Sequence, residues 1–583
     1  MSKPNKPLWL LLLAVIGLNT GCTHLTPKAE GDKSANGAGA TAEPVSEDAV
    51  NAPLPNVILT PTLLYRLLMA DFAEQGGDLT FAADQYLKTA EETRDPRLAK
   101  HATRIAMYAN DTRLALRAAT LWRDLAPDDR DADQAQAAIF ISAGELAEAR
   151  PHLQRIIDST PGRGHGYLIT ANLLSRAPNR EQALAMMDEL VRPHSQEPDA
   201  LFAAATLAAQ IEKPALALER LDKLLRVDPH HLQGMIMKAR ILYGMDRKEE
   251  AIATLRRAVD EAPDNAQLRL VYARMLVDER HLEEARREFR AVDRLSPNDP
   301  DVIYALGLLA LQADDLKDGE KQFQRLLTLG QREDEANFNL GQIAESRNEI
   351  DKAIVYYEAV NDGENELDAH LRAAMLIARR DGLDKGRDYL HKLHPSNAAD
   401  SVKVSLFEGE LLRQAGRNAD AMSVYNDALV QSPDNSELLY ARAMVAENLD
   451  RLDILEQDLR AILRKNPNDA QALNALGYTL ADRTNRLDEA RQLIEKAMKL
   501  SPNDAAILDS MGWVLYRQGH NAEALGYLKQ ALTLQNDGEI AAHLGEVLWV
   551  SGQHDEAHKV WDKALKQTPD NPVLRQTINR LTK

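Results

Sequence analysis

The stretch PNDAAILDSMGWVLYRQGHNAEALGYLKQA, residues 502–531, holds every element of a pattern that recurs along most of the chain. Pro502 opens it and Asn503 and Asp504 follow. Gly512 and Ala524 are small residues twelve positions apart, and Leu528 lies one helical turn beyond Ala524. Outward from this stretch, the first small position recurs every 33 to 35 residues as Ala70, Thr103, Ala137, Ala171, Ala205, Ala239, Ala273, Gly307, Gly341, Ala374, Gly409, Ala443, Gly477, Gly512 and Gly545. Its companion recurs as Ala82, Ala115, Ala149, Ala183, Ala217, Ala251, Ala285, Gly319, Ala353, Gly386, Ala421, Leu455, Ala490, Ala524 and Ala557. Leu455 is the one large side chain in that series, and Ala490 sits one place late because Thr484–Arg486 carries an extra residue.

A unit of this length accommodates two helices of about a dozen residues with their turns, and small side chains let two helices approach closely where they cross. Tyr86, Phe289, Phe323, Tyr357, Tyr425 and Leu528 fall four residues after the second small position, where an amphipathic helix buries its stripe. Pro127, Pro161, Pro229, Pro263, Pro297, Pro433, Pro467, Pro502 and Pro569 punctuate the units. Proline cannot continue a helix, and the Asp or Asn that usually follows caps the next one.

This unit length and this order of small, small, bulky and proline positions resemble the tetratricopeptide repeat family, and Leu508, Met511, Gly512, Leu515, Ala524, Leu528 and Ala531 carry the resemblance most closely. It covers residues 60–583 as about fifteen repeats. Ser195 and Gln331 stand where other units carry proline, and the register is least regular in the first two units and over 331–400. The resemblance implies an all-α solenoid, a right-handed superhelix of helix-turn-helix repeats in which each unit packs only on its neighbours.

Upstream, Lys3 and Lys6 precede an apolar run from Leu8 to Leu18, long enough for a secretion signal and too short to span a bilayer. Asn19-Thr20-Gly21-Cys22 resembles a bacterial lipobox, departing from it at Asn19, where Leu is usual. Residues 1–21 are therefore expected to be a lipoprotein signal peptide, with Cys22 the lipidated first residue of the mature chain. Acyl chains such as palmitate would anchor it through buried methylenes. Thr23 in place of Asp implies the outer membrane, on its periplasmic face. Residues 22–59, rich in Ala, Gly, Pro, Ser and Thr, read as the lipidated cysteine and a disordered tether with a root-mean-square span of about 35 Å. Cys22 is the only cysteine, so no intrachain disulfide can form.

The 89 acidic and 70 basic side chains give a net charge of −19, and loss of Lys3 and Lys6 with the signal would take it to −21. That balance disfavours nucleic acid and anionic lipid surfaces, leaving the N-terminal lipid as the membrane contact. No catalytic residue, cofactor or metal site is expected. His554-Asp555-Glu556-Ala557-His558 places two histidines at i and i+4, but its Glu is one position late for a zinc-protease motif and the segment occupies a regular second-helix start. His230-His231 and His391 with His394 fall in or near turns.

In the family, first helices line the concave side. The residues three before, one after and four after the first small position are then the groove candidates. The last four units supply Tyr440, Met444, Glu447, Asn474, Tyr478, Asp509, Trp513, Tyr516, Glu546 and Trp549; the middle supplies Arg240, Tyr243, Arg274, Tyr304, Phe338 and Gln342. Aromatic anchors concentrate binding energy, although tryptophans at such positions can equally pack between repeats. The Lys/Asn/Arg set that clamps a peptide carboxylate in some family members is absent from these positions.

A lipoprotein built almost wholly of such repeats also resembles the pseudomonad outer-membrane adaptors that bind a carboxyl-terminal processing serine protease. That likeness implies a scaffold presenting protein substrates, such as peptidoglycan hydrolases, to a protease that supplies the catalysis. The competing expectation is an assembly lipoprotein for exopolysaccharide secretion, a pilus or another envelope complex.

Overall fold

The computed structural model describes residues 55–160 and 163–583, which form thirty-one α-helices and no strand. Successive helices pair as antiparallel hairpins, seven from Pro61 to Leu295 and seven from Glu333 to Gln567, and the last helix, Pro572–Thr582, follows them singly. The chain divides into two compact units, one ending at Ala313 and one beginning at Asp314, with the boundary in sequence between the helices Pro300–Gln312 and Leu316–Leu329. Within each unit a helix packs chiefly on its hairpin partner and on the next hairpin. Cys22, the signal-like segment and nearly all of the tether lie outside the described residues.

All thirty small positions are buried, Thr103 and Leu455 included. Their function is steric. A Cβ on Gly341 would stand 2.6 Å from the ring of Tyr357, on Gly409 2.3 Å from Tyr425, on Gly512 2.5 Å from Leu528, and on Gly545 1.9 Å from Trp561. In each case the obstructing side chain lies sixteen residues on, four beyond the second small position. First and second helix thus meet through a lock whose two members fill one volume. Where the first member is the larger Thr103, its mate is Ala119, itself fully buried. Nothing in the structure explains why Leu455 replaces a small residue.

The hairpin turn follows equally regular chemistry. Seven residues after the first small position the backbone is left-handed in twelve of the repeats, at Gly77, Asn110, Gly144, Glu212, Asp246, Arg280, Asp314, Asn348, Gly416, Asp450, Gly519 and Gly552. The following amide then donates back to the helix, as from His281 N to the Leu276 carbonyl (2.8 Å) and from Gln553 N to that of Leu548 (2.9 Å). These bonds close the Schellman arrangement that satisfies the last carbonyls of the first helix. The inserted residue at Thr484–Arg486 replaces the left-handed turn. Thr484 is extended (φ −139°), and its hydroxyl donates to the Leu480 carbonyl (2.6 Å) and accepts from Arg486 N (3.0 Å).

Between hairpins, the Asp or Asn after the proline caps the next first helix. Asn265 accepts from Leu268 N (2.9 Å), Asn435 from Leu438 N (3.0 Å), and Asp504 from both Ala506 N (2.9 Å) and Ile507 N (3.1 Å). The irregular stretch around 331–400 keeps its hairpins but shortens their second helices, to Ile350–Glu358 and Leu383–Leu390. The eight-residue helix covers its successor incompletely, leaving a cavity of about 650 Å³ lined by Arg387, His391, Val402, Glu408 and Asp427 among others. Glu408 is buried beside it, accepting from Arg387 Nε (2.8 Å) and close to His391 Nε2 (3.0 Å).

Candidate protein-binding face

The inner face of the last four hairpins comes from Ser436–Asn448, Ala470–Arg483, Ala505–Arg517 and Gly538–Val550. These helices pack closely enough for Tyr478 to reach two hairpins along the array. Its hydroxyl donates to Glu539 (3.2 Å) and lies 3.5 Å from His543 Nε2. His543 Nδ1 is 2.8 Å from Asp509 Oδ2, and Trp513 stacks on the imidazole with ring centroids 4.2 Å apart while its indole N–H donates to Asp482 (3.1 Å). Beyond them Tyr516 donates to Glu546 (3.2 Å), which also accepts from Arg580.

The groove candidates therefore separate into two groups. Asp509, Trp513 and Glu546 are buried in this network between repeats. Tyr440, Met444, Glu447, Asn474, Tyr478, Tyr516 and Trp549 remain half-buried. Trp549 lies against His554 (4.1 Å between centroids), His558 (5.4 Å) and Trp561 (5.8 Å), so the i,i+4 histidine pair flanks an indole. Of the middle candidates, Tyr304 and Phe338 are buried, Tyr243 is half-buried and donates to Glu279 (3.0 Å), Arg274 and Gln342 are half-buried, and Arg240 is exposed.

The electrostatics of the C-terminal inner face are acidic. Burial, together with the Glu539 carboxylate, raises the pKa of Glu447 above the usual carboxylate range. Burial and the neighbouring Glu539, Asp482 and Asp509 push the Tyr478 phenol far up. His543 is the counterweight. Burial alone would lower its pKa, but the Asp509 carboxylate, reinforced by Glu539 and Asp482, outweighs that and raises it. The imidazolium is thus favoured among these carboxylates.

A second inner-face cleft, of about 690 Å³, lies in the N-terminal unit: Arg97, Lys100, Arg104 and Arg176 line it with Asp131, Met107, Tyr108 and Trp122, and Lys100 donates to Asp131 (2.7 Å). The Lys100 ammonium sits 4.9 Å from the Trp122 ring centroid. Lys100, Arg104 and Met107 stand three before, one after and four after Thr103, so the counting rule that selected the C-terminal residues also finds these when extended to the second repeat. Glu539, His543, Asp482 and Arg580 carry no such signal, because each enters through a partner in another repeat, 31 to 61 residues away.

Models of the tetratricopeptide repeat match residues 208–275, 250–309 and 515–581, and another of the same description matches 304–366 and 440–505. The TPR repeat-containing protein PA4667 of Pseudomonas aeruginosa is 35% identical over 576 residues, spanning 98% of this chain and 96% of its own length. The chain belongs to the tetratricopeptide repeat family. Among solved structures, the thermophilic TPR protein TTC0263 of Thermus thermophilus is 26% identical, covering 31% of this chain and 99% of its own (TM-score 0.29). Yeast Tom70 is 15% identical over 70% of this chain and 97% of its own (TM-score 0.25). As in any tetratricopeptide repeat array, stacked first helices give this protein a long face suited to protein–protein interaction.

Proposed function

We propose that this tetratricopeptide repeat protein is an outer-membrane lipoprotein, anchored through Cys22 on the periplasmic side, that holds a carboxyl-terminal processing protease together with protein substrates such as peptidoglycan hydrolases. The observation that carries the reading is the row of half-buried aromatics, Tyr440, Tyr478, Tyr516 and Trp549, set among carboxylates on one continuous inner face. Such a face offers apolar anchors and hydrogen-bond acceptors to a polypeptide, and its roles are gripping and positioning. Bond cleavage then belongs to the partner, and joining two partners on one scaffold raises their effective concentration.

The test is purification of the full-length, lipidated protein from detergent-solubilised envelope, followed by proteolysis assays with each recovered component. Recovery of a processing protease whose cleavage of a wall hydrolase accelerates at least tenfold with this protein present is the expected result. Recovery of secretion or pilus subunits without a protease would replace the adaptor reading with an assembly role.

A further inference from the structure

The two ends of the array are finished differently. At the C-terminus the lone helix Pro572–Thr582 buries Leu574 and Thr577 against the last hairpin and turns Arg575, Gln576 and Asn579 outward. At the N-terminus the first helix, Pro61–Gln75, leaves Leu64 (45% exposed), Tyr65 (66%), Leu68 (47%) and Phe72 (65%) open. Val57, Ile58 and Leu59 extend the same apolar character, and Asp71 is the one charged residue among the exposed positions of that helix.

The repeat itself says what belongs there. Tyr65 and Phe72 stand five before and two after the first small position. At those two positions none of the other fourteen first helices carries an exposed residue: Ala132 and Ile139, Leu268 and Met275, Leu438 and Val445, or Ile507 and Val514 are all buried. The cover is the second helix of the preceding hairpin. A Cβ on Gly166, in the same position as Tyr65, would strike the Ile157 backbone at 2.8 Å, and one on Gly234 would strike Leu224 at 2.7 Å. The first repeat has large apolar side chains in these sockets and, among the described residues, no preceding helix. With residues 1–21 removed, as the proposed function has it, residues 23–54 offer no substitute: their large apolar residues are Leu25, Val45, Val50 and Leu54, and the eight residues between Pro44 and Pro53 are too few to lie along a fifteen-residue helix.

We infer that the exposed face of Pro61–Gln75 is a docking surface for an amphipathic α-helix of a different protein, laid where a preceding second helix would lie. Its apolar stripe, spaced three and four residues apart, covers Tyr65, Leu68 and Phe72, and a Lys or Arg beside that stripe meets Asp71. This surface is separate from the inner-face groove, so it provides a second grip whatever the groove holds.

The test places the photoreactive residue p-benzoylphenylalanine at Leu68 of the full-length chain in its native host, with the crosslinked peptide identified by mass spectrometry. The expected adduct is to a helical segment of another protein, at an apolar position of a three-four pattern. It should fall at least tenfold in the Tyr65→Asp/Phe72→Asp double variant, whose melting temperature should stay unchanged because both side chains are exposed. If that variant misfolds, Leu64→Ser with Phe72→Ser serves the same purpose. Adducts to a second copy of this chain, to its own residues 1–54 or to lipid, or no adduct at all, would overturn the assignment.

Discussion

At the residue scale the array depends on paired volumes. The lock between Gly409 and Tyr425 leaves no room for a methyl group, so Gly409→Ala should cost about 1–3 kcal/mol through overpacking. Combining it with Tyr425→Leu reproduces the Ala443/Leu459 lock found elsewhere in the chain, and the double variant should lose less than the sum of the single losses in a double-mutant cycle of denaturant unfolding. His543 makes a second, pH-dependent prediction. Its folded pKa is raised, so the stabilisation it contributes is complete below the unfolded value of about 6.5 and is lost as pH rises through the folded value. The unfolding midpoint of the C-terminal unit should therefore fall between mildly acidic and mildly alkaline buffer, and His543→Asn should flatten that slope. The thirty small positions were legible in the sequence because a fixed spacing exposes them. The environment of His543 was not, since Tyr478, Asp509 and Asp482 reach it from other repeats and no local spacing records such a meeting.

At the element scale, helix boundaries followed proline and Asp/Asn signals that act locally, and the sequence therefore showed them well. The shortened Ile350–Glu358 and Leu383–Leu390 were signalled only as an irregular register, because the length of a second helix is settled by what packs on it. Arg280 occupies the left-handed hinge position with φ 61°, where a side chain with a Cβ is strained. Arg280→Gly should raise stability by about 0.5–1 kcal/mol, readable as a shift in the denaturant midpoint, with the greater freedom of glycine in the unfolded chain limiting the gain. On the inner face, a tryptophan at a groove position could not be assigned to binding or to packing without knowing its neighbours. Trp513 donates to Asp482 and stacks on His543, so Trp513→Ala should cost about 3–5 kcal/mol and report on folding. Half-buried Tyr440 is the cleaner probe of binding. Tyr440→Ala should weaken capture of the groove partner about 30-fold, corresponding to a hot spot of about 2 kcal/mol, while the helical signal holds.

At the scale of the whole molecule, stability is spread along neighbour contacts, and its weak points can be located. Hydrogen exchange should be fastest, within the C-terminal unit, around Leu383–Leu390 and the cavity beside it, and deleting Pro572–Thr582 should accelerate exchange in Gly538–Val550 while leaving Ala470–Arg483 unaffected. The all-helical repeat architecture was legible from period alone; the unequal finish of the two ends was not, because a repeat pattern describes what units share and is silent on what the first one lacks. The lock between residues sixteen apart has a further consequence for how such a chain can change. Both members of most locks belong to one hairpin, so a DNA segment encoding a whole hairpin can be duplicated or lost in frame without leaving any interior half-filled. The reach of the scaffold can thus be lengthened or shortened by recombination in steps of one cassette, with point substitution left free to adjust what each cassette holds.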